Sequence, residues 1–383
     1  MKISKITLKP LFLPYKESYF WSGGVDIGAP LILFRVETDE GLVGHGESTA
    51  VFPAEGTLGL LHYAAPFFIG ESPFNIDRLL YRVRRLGNSN DTIRMPNLLM
   101  AGMEMALWDI VSQATRRPLY QLWGGAVRDQ VDYFGFLQGD TAEDLAASAK
   151  ALRAEKFSVI YFKVGRGEKI DLDNVQAVRS AIGPGVKLRV DANEAWDVFT
   201  AKNMIKKMAE FDLEFVEQPV DGRASVAALK QVRDSSPVPI AVDQGIYSLE
   251  EVYEVCRLQA ADVLVLSPQE TGGASCFKKA AAIGEAARIP VCLHGQYTSG
   301  LTDLFQFHLG LTLPNLTDGN QIMHQLVVED LLYEPIVKPV EGRLGLEVAS
   351  GVGLPVNEDA VARAEEEYWK RAGGQKKADF VYS

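Results

Sequence analysis

Six short apolar runs in the middle of the chain each end on a polar or ionisable residue, and those ends recur at a nearly constant interval. Lys163 closes 158–162, Asp191 closes 186–190 and Glu217 closes 213–216. Asp243 closes 238–242, Ser267 closes 263–266 and His294 closes 289–293. Successive ends lie 28, 26, 26, 24 and 27 residues apart. Runs this short and this rich in β-branched residues read as buried strands, and the stretches between them have helical periodicity and about one crossover length. In α/β proteins reactive side chains gather just past the C-terminal ends of such strands.

The pattern extends beyond the six. Strands are expected near 131–137, 158–163, 187–191, 213–217, 239–243, 262–266 and 290–294, with a weak eighth near 315–318 and no clear helix after it. Right-handed crossovers allow an open sheet or a closed barrel. In a flat sheet with strands about 4.8 Å apart, the second and seventh would be about 24 Å from each other. Only closure lets Lys163 and His294 face one substrate. No G-x-G-x-x-G follows the first strand, as a dinucleotide-binding sheet would want. The barrel is the expectation.

Residues 1–125 have a different grammar. Ile3–Leu13 alternates as a strand, and two further strand patterns flank the turn signal Asp39-Glu40-Gly41. Helical patterns follow at Leu58–Ile69, Ile76–Leu86 and Pro96–Thr115, so a separate α+β unit is expected. Tyr15–Ala29 and Ser48–Gly56 read as loops rich in aromatics and glycine, either plain surface loops or lids over a pocket. After residue 330, Glu334–Val348 reads as extended chain with a turn at Glu341-Gly342, Glu358–Arg371 as a charged helix, and Ala378–Ser383 as a fraying end.

Composition narrows the partners. A formal charge of −11 repels nucleic acid and anionic membranes. No run approaches a membrane span, and Met1 opens directly into a strand pattern without an apolar leader. Three cysteines without a C-x-x-C pair point to a reducing compartment, so the cytoplasm is expected.

Asp191, Glu217 and Asp243 end three consecutive strands. Singly, each would pass for a helix N-cap or a solvated loop acid. Brought together, three carboxylates repel unless protonated or neutralised, and an all-oxygen set on rigid strand ends suits Mg²⁺. Lys163 alone would pass for a lysine snorkelling at a barrel rim. Beside a divalent ion its charged form is disfavoured, leaving an amine able to take a proton. His294 alone would pass for a core histidine, but its place in the series gives it the same task from the opposite side. Walker, H-E-x-x-H, EF-hand and G-x-S-x-G patterns are absent, which removes nucleotide hydrolysis and serine chemistry.

These residues resemble the enolase superfamily, in its mandelate racemase/muconate lactonizing enzyme branch. The resemblance rests on Tyr161-Phe-Lys-Val-Gly165, Val190-Asp-Ala-Asn-Glu-Ala-Trp196, Val216-Glu-Gln-Pro219, Val242-Asp243, Gly272-Gly273 and Ile289-Pro-Val-Cys-Leu-His294. Outside the barrel, Gly41-Leu-Val-Gly-His-Gly-Glu47, Ala106-Leu-Trp-Asp109 and Leu122-Trp-Gly-Gly125 belong to it as well. It implies an α/β protein: a (β/α)7β modified TIM barrel over 126–330, under an α+β capping domain built from 1–125 and the returning segment 331–383. It also implies Mg²⁺ on Asp191, Glu217 and Asp243, a small-molecule carboxylate substrate, and a homo-oligomer, dimer or octamer.

Lys163 matches the second lysine of the family's Lys-x-Lys, the base of the racemase group, and Tyr161 replaces the first, leaving a phenol as a proton donor. His294 matches that group's histidine, but Ser267 stands where its aspartate partner is expected. The same Ser267 excludes the lysine that the lactonizing and dipeptide epimerase groups carry there. Asp318 matches the acid that binds the substrate carboxylate, and Tyr19, Trp21, Asn193 and Ser267 are expected to face the substrate. The implied chemistry is α-proton abstraction through a metal-stabilised ene-diolate. Its outcome is dehydration of a hydroxy or sugar acid, or racemisation or epimerisation. Alternatives are a cycloisomerase or amino-acid-derivative racemase and, in another class, a barrel that binds without catalysing.

Overall fold

The computed structural model describes residues 1–50, 52–87, 94–333, 337–350, 352–373 and 380–382. Ile3–Trp21, Gly24–Thr38 and Val43–Thr49 form an antiparallel sheet. The stretch expected as a loop from Tyr15 to Ala29 is instead the outer half of a long hairpin. Its ladder resumes after an irregularity between Pro14 and Tyr19 and runs to Trp21↔Gly24. Proline cannot donate to a ladder, which accounts for the interruption, while the aromatic and β-branched residues beyond it are good strand formers.

Helices Glu55–Ala64, Ile76–Gly87 and Arg94–Thr115 follow. The third lies directly on strand Val43–Thr49. A Cβ at Gly46 would sit 2.1 Å from the Gly102 carbonyl oxygen, so this backbone-to-backbone approach admits only glycine. Asp109 on the same helix accepts hydrogen bonds from the backbone N–H of His45 at 2.8 Å and of Leu354 at 2.9 Å. One carboxylate thereby ties helix, strand and returning C-terminal chain together. Helix Glu358–Arg371 packs on the first strand, and Phe380–Tyr382 pairs with Ile6–Leu8 rather than fraying. Before that return, Arg343–Gly345 pairs with Gln130–Asp132 at the entry to the barrel. Positions 334–336, 378–379 and 383 of the expected C-terminal elements lie outside the described residues.

Seven parallel strands make the second sheet: Gly135–Phe136, Val159–Lys163, Lys187–Asp191, Leu213–Glu217, Ile240–Val242, Val263–Leu266 and Val291–Leu293. The weak eighth strand closes it. Leu316 bridges Val291 on one side and Asn320 bridges Tyr133 on the other, both in parallel sense. The chain therefore forms the closed (β/α)7β barrel with an antiparallel cap.

Closure and the two-residue period of a strand explain the sequence series. Phe215, Ala241, Val263, Val265 and Cys292 form one buried cluster inside the barrel. Glu217, Asp243, Ser267 and His294 each lie two residues further along their strands than a member of that cluster. The recurring polar residues are one layer of a closed barrel, the layer at its mouth. The opposite end is plugged by fully buried Arg189, which pairs with Glu214 at 2.6 Å and lies over the Phe215 ring at 4.5 Å.

Candidate active site

Strand register brings the acids together. Lys163 is opposite Asp191, and Asp191 opposite Glu217, on adjacent strands. Asp191, Glu217 and Asp243 each offer an oxygen within 4.8 Å of the others, and all three are buried. Asp191 accepts from Lys163 Nζ at 2.5 Å, from the Tyr161 hydroxyl at 2.6 Å and from the Asn193 N–H at 2.6 Å. Asp243 is in the opposite condition. Among the described residues neither of its buried side-chain oxygens has a hydrogen-bond partner. The His294 ring, 3.2 Å away, offsets part of its charge. A buried carboxylate without a hydrogen-bond donor is costly unless a cation completes it, so the three acids fit a hard metal ion.

Burial, then the neighbouring acids, push Glu217 well above the usual carboxylate range. Burial does the same to Asp243, with Glu270 and Asp191 adding to it and His294 opposing. Burial opposes the charge on Lys163, but Asp191, Glu217 and Asp243 outweigh it and hold the ammonium above its ordinary value. The neutral amine expected from the sequence is thus not the state these acids by themselves favour.

His294 lies across the mouth. Its Nδ1 is 3.0 Å from Glu270 and 3.2 Å from Asp243. Burial lowers its basicity, but Asp243 and Glu270 carry it up to about 10. Glu270 is the partner that the sequence reading missed. It sits on the one-turn helix Pro268–Thr271, three residues past the strand end where the aspartate was sought. The Tyr247 hydroxyl and the Gln296 amide hold its other oxygen at 3.2 and 2.6 Å. A signal was present: Ser267-Pro-Gln-Glu270 has the form of a helix capping box, in which the glutamate would turn back to the serine. Instead it turns to His294.

Three expected roles change. The Ser267 hydroxyl accepts the N–H of Gln269 and caps this short helix, and Ser267 is absent from the cavity wall. Tyr161 belongs to the layer below the mouth, stacked on Phe134 at 4.4 Å. Burial and the acids push its phenol well above 10, and its hydroxyl donates to Asp191 while receiving Lys163 at 3.1 Å. It positions those two side chains from outside the cavity wall. Asp318 is at the wrong end of the barrel. It is 64% exposed and pairs with Lys187, which begins the strand that Asp191 ends. At about 3.3 Å per residue, the eighth strand reaches the mouth only near Gln321, which does line the cavity.

The cavity over the acids has a volume of about 360 Å³. Lys163, Asn193 and His294 line its floor, and Tyr19 and Trp21 reach it from the cap. The aromatic hairpin is therefore a lid. It is held shut by the Ser22 hydroxyl, which donates to the Asn193 carbonyl at 3.0 Å, and by the Tyr297 hydroxyl, which donates to Asp26 at 3.1 Å. The cap strand Val43–Thr49 has staples of its own: Gln269 donates to the Glu47 carbonyl at 2.8 Å, and Glu47 accepts the Ser299 N–H at 2.9 Å. Burial pushes Glu47 up to about 7, against the Ser299 donors that pull it down.

Fold and site together define an enolase-type enzyme, a lidded barrel with acids able to hold a metal on consecutive strands. Residues 22–124 match the family described as mandelate racemase/muconate lactonizing enzyme, N-terminal domain, and 144–360 match enolase C-terminal domain-like. The chain belongs to the mandelate racemase/muconate lactonizing enzyme family of the enolase superfamily. It is 30% identical to a chloromuconate cycloisomerase of Cupriavidus pinatubonensis over 94% of this chain and 98% of the relative. It is 25% identical to an N-succinyl-L-Arg/Lys racemase of Bacillus cereus over 94% and 97%. Among solved structures, a dipeptide epimerase of Enterococcus faecalis, complexed with Mg and L-Leu-L-Tyr, is similar with a TM-score of 0.83. That match has 26% identity and covers 92% of this chain and 98% of the other. Among the described residues no helix is long and apolar enough to cross a membrane.

Proposed function

We propose that the protein racemises or epimerises a carboxylic acid at its α-carbon, with Mg²⁺ held by Asp191, Glu217 and Asp243. The observation that carries this reading is the pair of proton carriers, Lys163 and His294, each on its own carboxylate (Asp191 and Glu270) across the same cavity. Mg²⁺ held there would supply Lewis-acid stabilisation of the charge that gathers on the substrate carboxylate and would offset the field of the three acids that favours the Lys163 ammonium.

Neutral Lys163 takes the α-proton from one face, and the C–H electron pair moves into the carboxylate. His294, protonated beside Glu270, returns a proton to the other face. Tyr161 fixes the Lys163 amine against Asp191, and Asn193 fixes Asp191 through its backbone N–H. Tyr19 and Trp21 exclude water, which would otherwise quench a carbanion-like intermediate. The racemase and epimerase names of similar proteins support this outcome.

A second reading follows from His294 held as a strong acid: protonation of a departing β-hydroxyl, giving dehydration. The test is incubation in D₂O with a panel of N-acylated, hydroxy, amino and sugar acids, followed by NMR. Deuterium at the α-carbon with inversion is expected. Loss of water without inversion moves the assignment to dehydration, and a panel with no exchange leaves only a non-catalytic barrel. Three buried cysteines without a disulfide support a reducing, cytoplasmic setting.

A further inference from the structure

We infer that the substrate carries a cationic nitrogen at the end remote from its reacting carboxylate, received by Asp26 and the aromatic rings around it. This rests on the reading above that the reacting carboxylate lies at the three acids.

Asp26 stands on the outward strand of the lid hairpin, directly opposite Tyr19 in the register. Cross-strand partners share a face, so Asp26 and Tyr19 are on the same side of the lid. The hydroxyl of Tyr297, from the barrel mouth, donates to Asp26 at 3.1 Å. Tyr19 and Tyr297 both line the cavity over the acids, with Trp21 and Tyr247 completing an aromatic wall. Beyond Tyr297 and Ala50 a second hollow of about 590 Å³ opens outward, and Asp26 lines it. The carboxylate is therefore at the junction of the inner chamber and its vestibule. Among the described residues it forms no ion pair with any lysine, arginine or histidine. Burial raises its pKa, against the Tyr297 and Tyr19 donors and the Lys163 charge that pull it down.

The inner wall has no cation to spare. Among the described residues its only basic side chains are Lys163 and His294, already committed to Asp191 and Glu270. Asp26 adds a further carboxylate at the outer end of that wall. Arg371 lines the same outer hollow but is held on Glu367 at 2.7 Å and over the Phe12 ring at 4.2 Å. A carboxylate placed beside Asp26 would meet like charge, and a neutral group would leave Asp26 without a cationic partner. A cationic nitrogen meets both the carboxylate and the electron-rich ring faces.

The test uses the full-length protein loaded with Mg²⁺ and three acids of similar length, with binding followed by calorimetry. They are 4-(trimethylammonio)butanoate, its uncharged isostere 5,5-dimethylhexanoate, and glutarate. The cationic acid is expected to bind at least about tenfold more tightly than either of the others. Asp26→Asn is expected to bring the cationic acid and its isostere within about threefold of each other while leaving the isostere's affinity unchanged. Equal or tighter binding of the isostere or glutarate overturns the inference. So does a preference that survives Asp26→Asn, or no measurable binding of the cationic acid. Deuterium exchange on the same acids separates the two readings: exchange on glutarate or the isostere alone upholds proton abstraction while refuting the cation.

Discussion

Replacing Glu270 by glutamine isolates the role of the residue that the sequence concealed. The carboxylate is 3.0 Å from His294 Nδ1, and the other acid near the ring, Asp243, is a ligand candidate whose charge a bound cation would offset. Glu270 is then the main support of the imidazolium. A full charge pair at that distance is worth about 5 kcal/mol at an effective dielectric of about 20, before desolvation is subtracted. A net loss of about 2–4 kcal/mol in the transition state corresponds to about 30- to 1,000-fold in rate. The glutamine keeps the volume and the contacts with Gln296 and Tyr247, so the fold should survive. The assay is α-proton exchange into D₂O from each enantiomer of any acid that the wild type exchanges, with Mg²⁺ affinity measured alongside. Exchange on the His294 face should fall by that factor. Exchange on the Lys163 face should stay within about threefold, because an amine can take and return a proton on its own side. Equal losses on both faces, or none on either, would refute the assignment of Glu270 to His294.

Other consequences are open to measurement. Added Mg²⁺ should raise the melting temperature, by about 2.7 kcal/mol of stabilisation at one hundred times its dissociation constant, and Asp243→Asn should abolish most of that gain. Asp318→Ala should change turnover less than about twofold, as a surface change far from the mouth does, and a hundredfold loss would restore it to the site. Gly46→Ala should cost about 1–3 kcal/mol or more in urea unfolding, since its methyl group meets backbone rather than a movable side chain. Burial pushes Asp109 up to about 7 from an ordinary 3.8. The folded protein therefore holds that proton at pH values where the unfolded chain has lost it. The resulting stabilisation is complete below about pH 4 and is lost as pH rises through 7, by up to about 4 kcal/mol. Comparing wild type with Asp109→Asn at pH 4.5 and 7.5 checks this, and parallel pH dependences would contradict it.

Much of the site was legible because a barrel writes its mouth into the chain at regular intervals. Each crossover unit has nearly the same length, so strand ends recur, and the end residue on the inward parity is always at the mouth. Lys163, Asp191, Glu217, Asp243 and His294 fall on that rule, and the structure brings all five together. Ser267 obeys the rule in position, yet its hydroxyl is taken by a local backbone N–H, a competition that strand parity does not reveal. Asp318 failed for a related reason. A two- or three-residue error in a weak eighth strand moves a side chain by nearly the depth of the barrel.

The aromatic hairpin was read from glycine and aromatic content as loops, because strand pairing depends on a partner that composition does not show. Its place over the mouth depends on staples between residues more than two hundred positions apart, such as Tyr297 with Asp26. Periodicity along the chain, which comes from covalent geometry and burial of one face, determined the barrel, the order of its strands and the acids at its mouth. The Glu270 partner of His294, the Asp26 carboxylate at the junction, and the removal of Asp318 from the site were decided only by tertiary structure. Each depends on distance through space between segments whose separation along the chain carries no periodic signal.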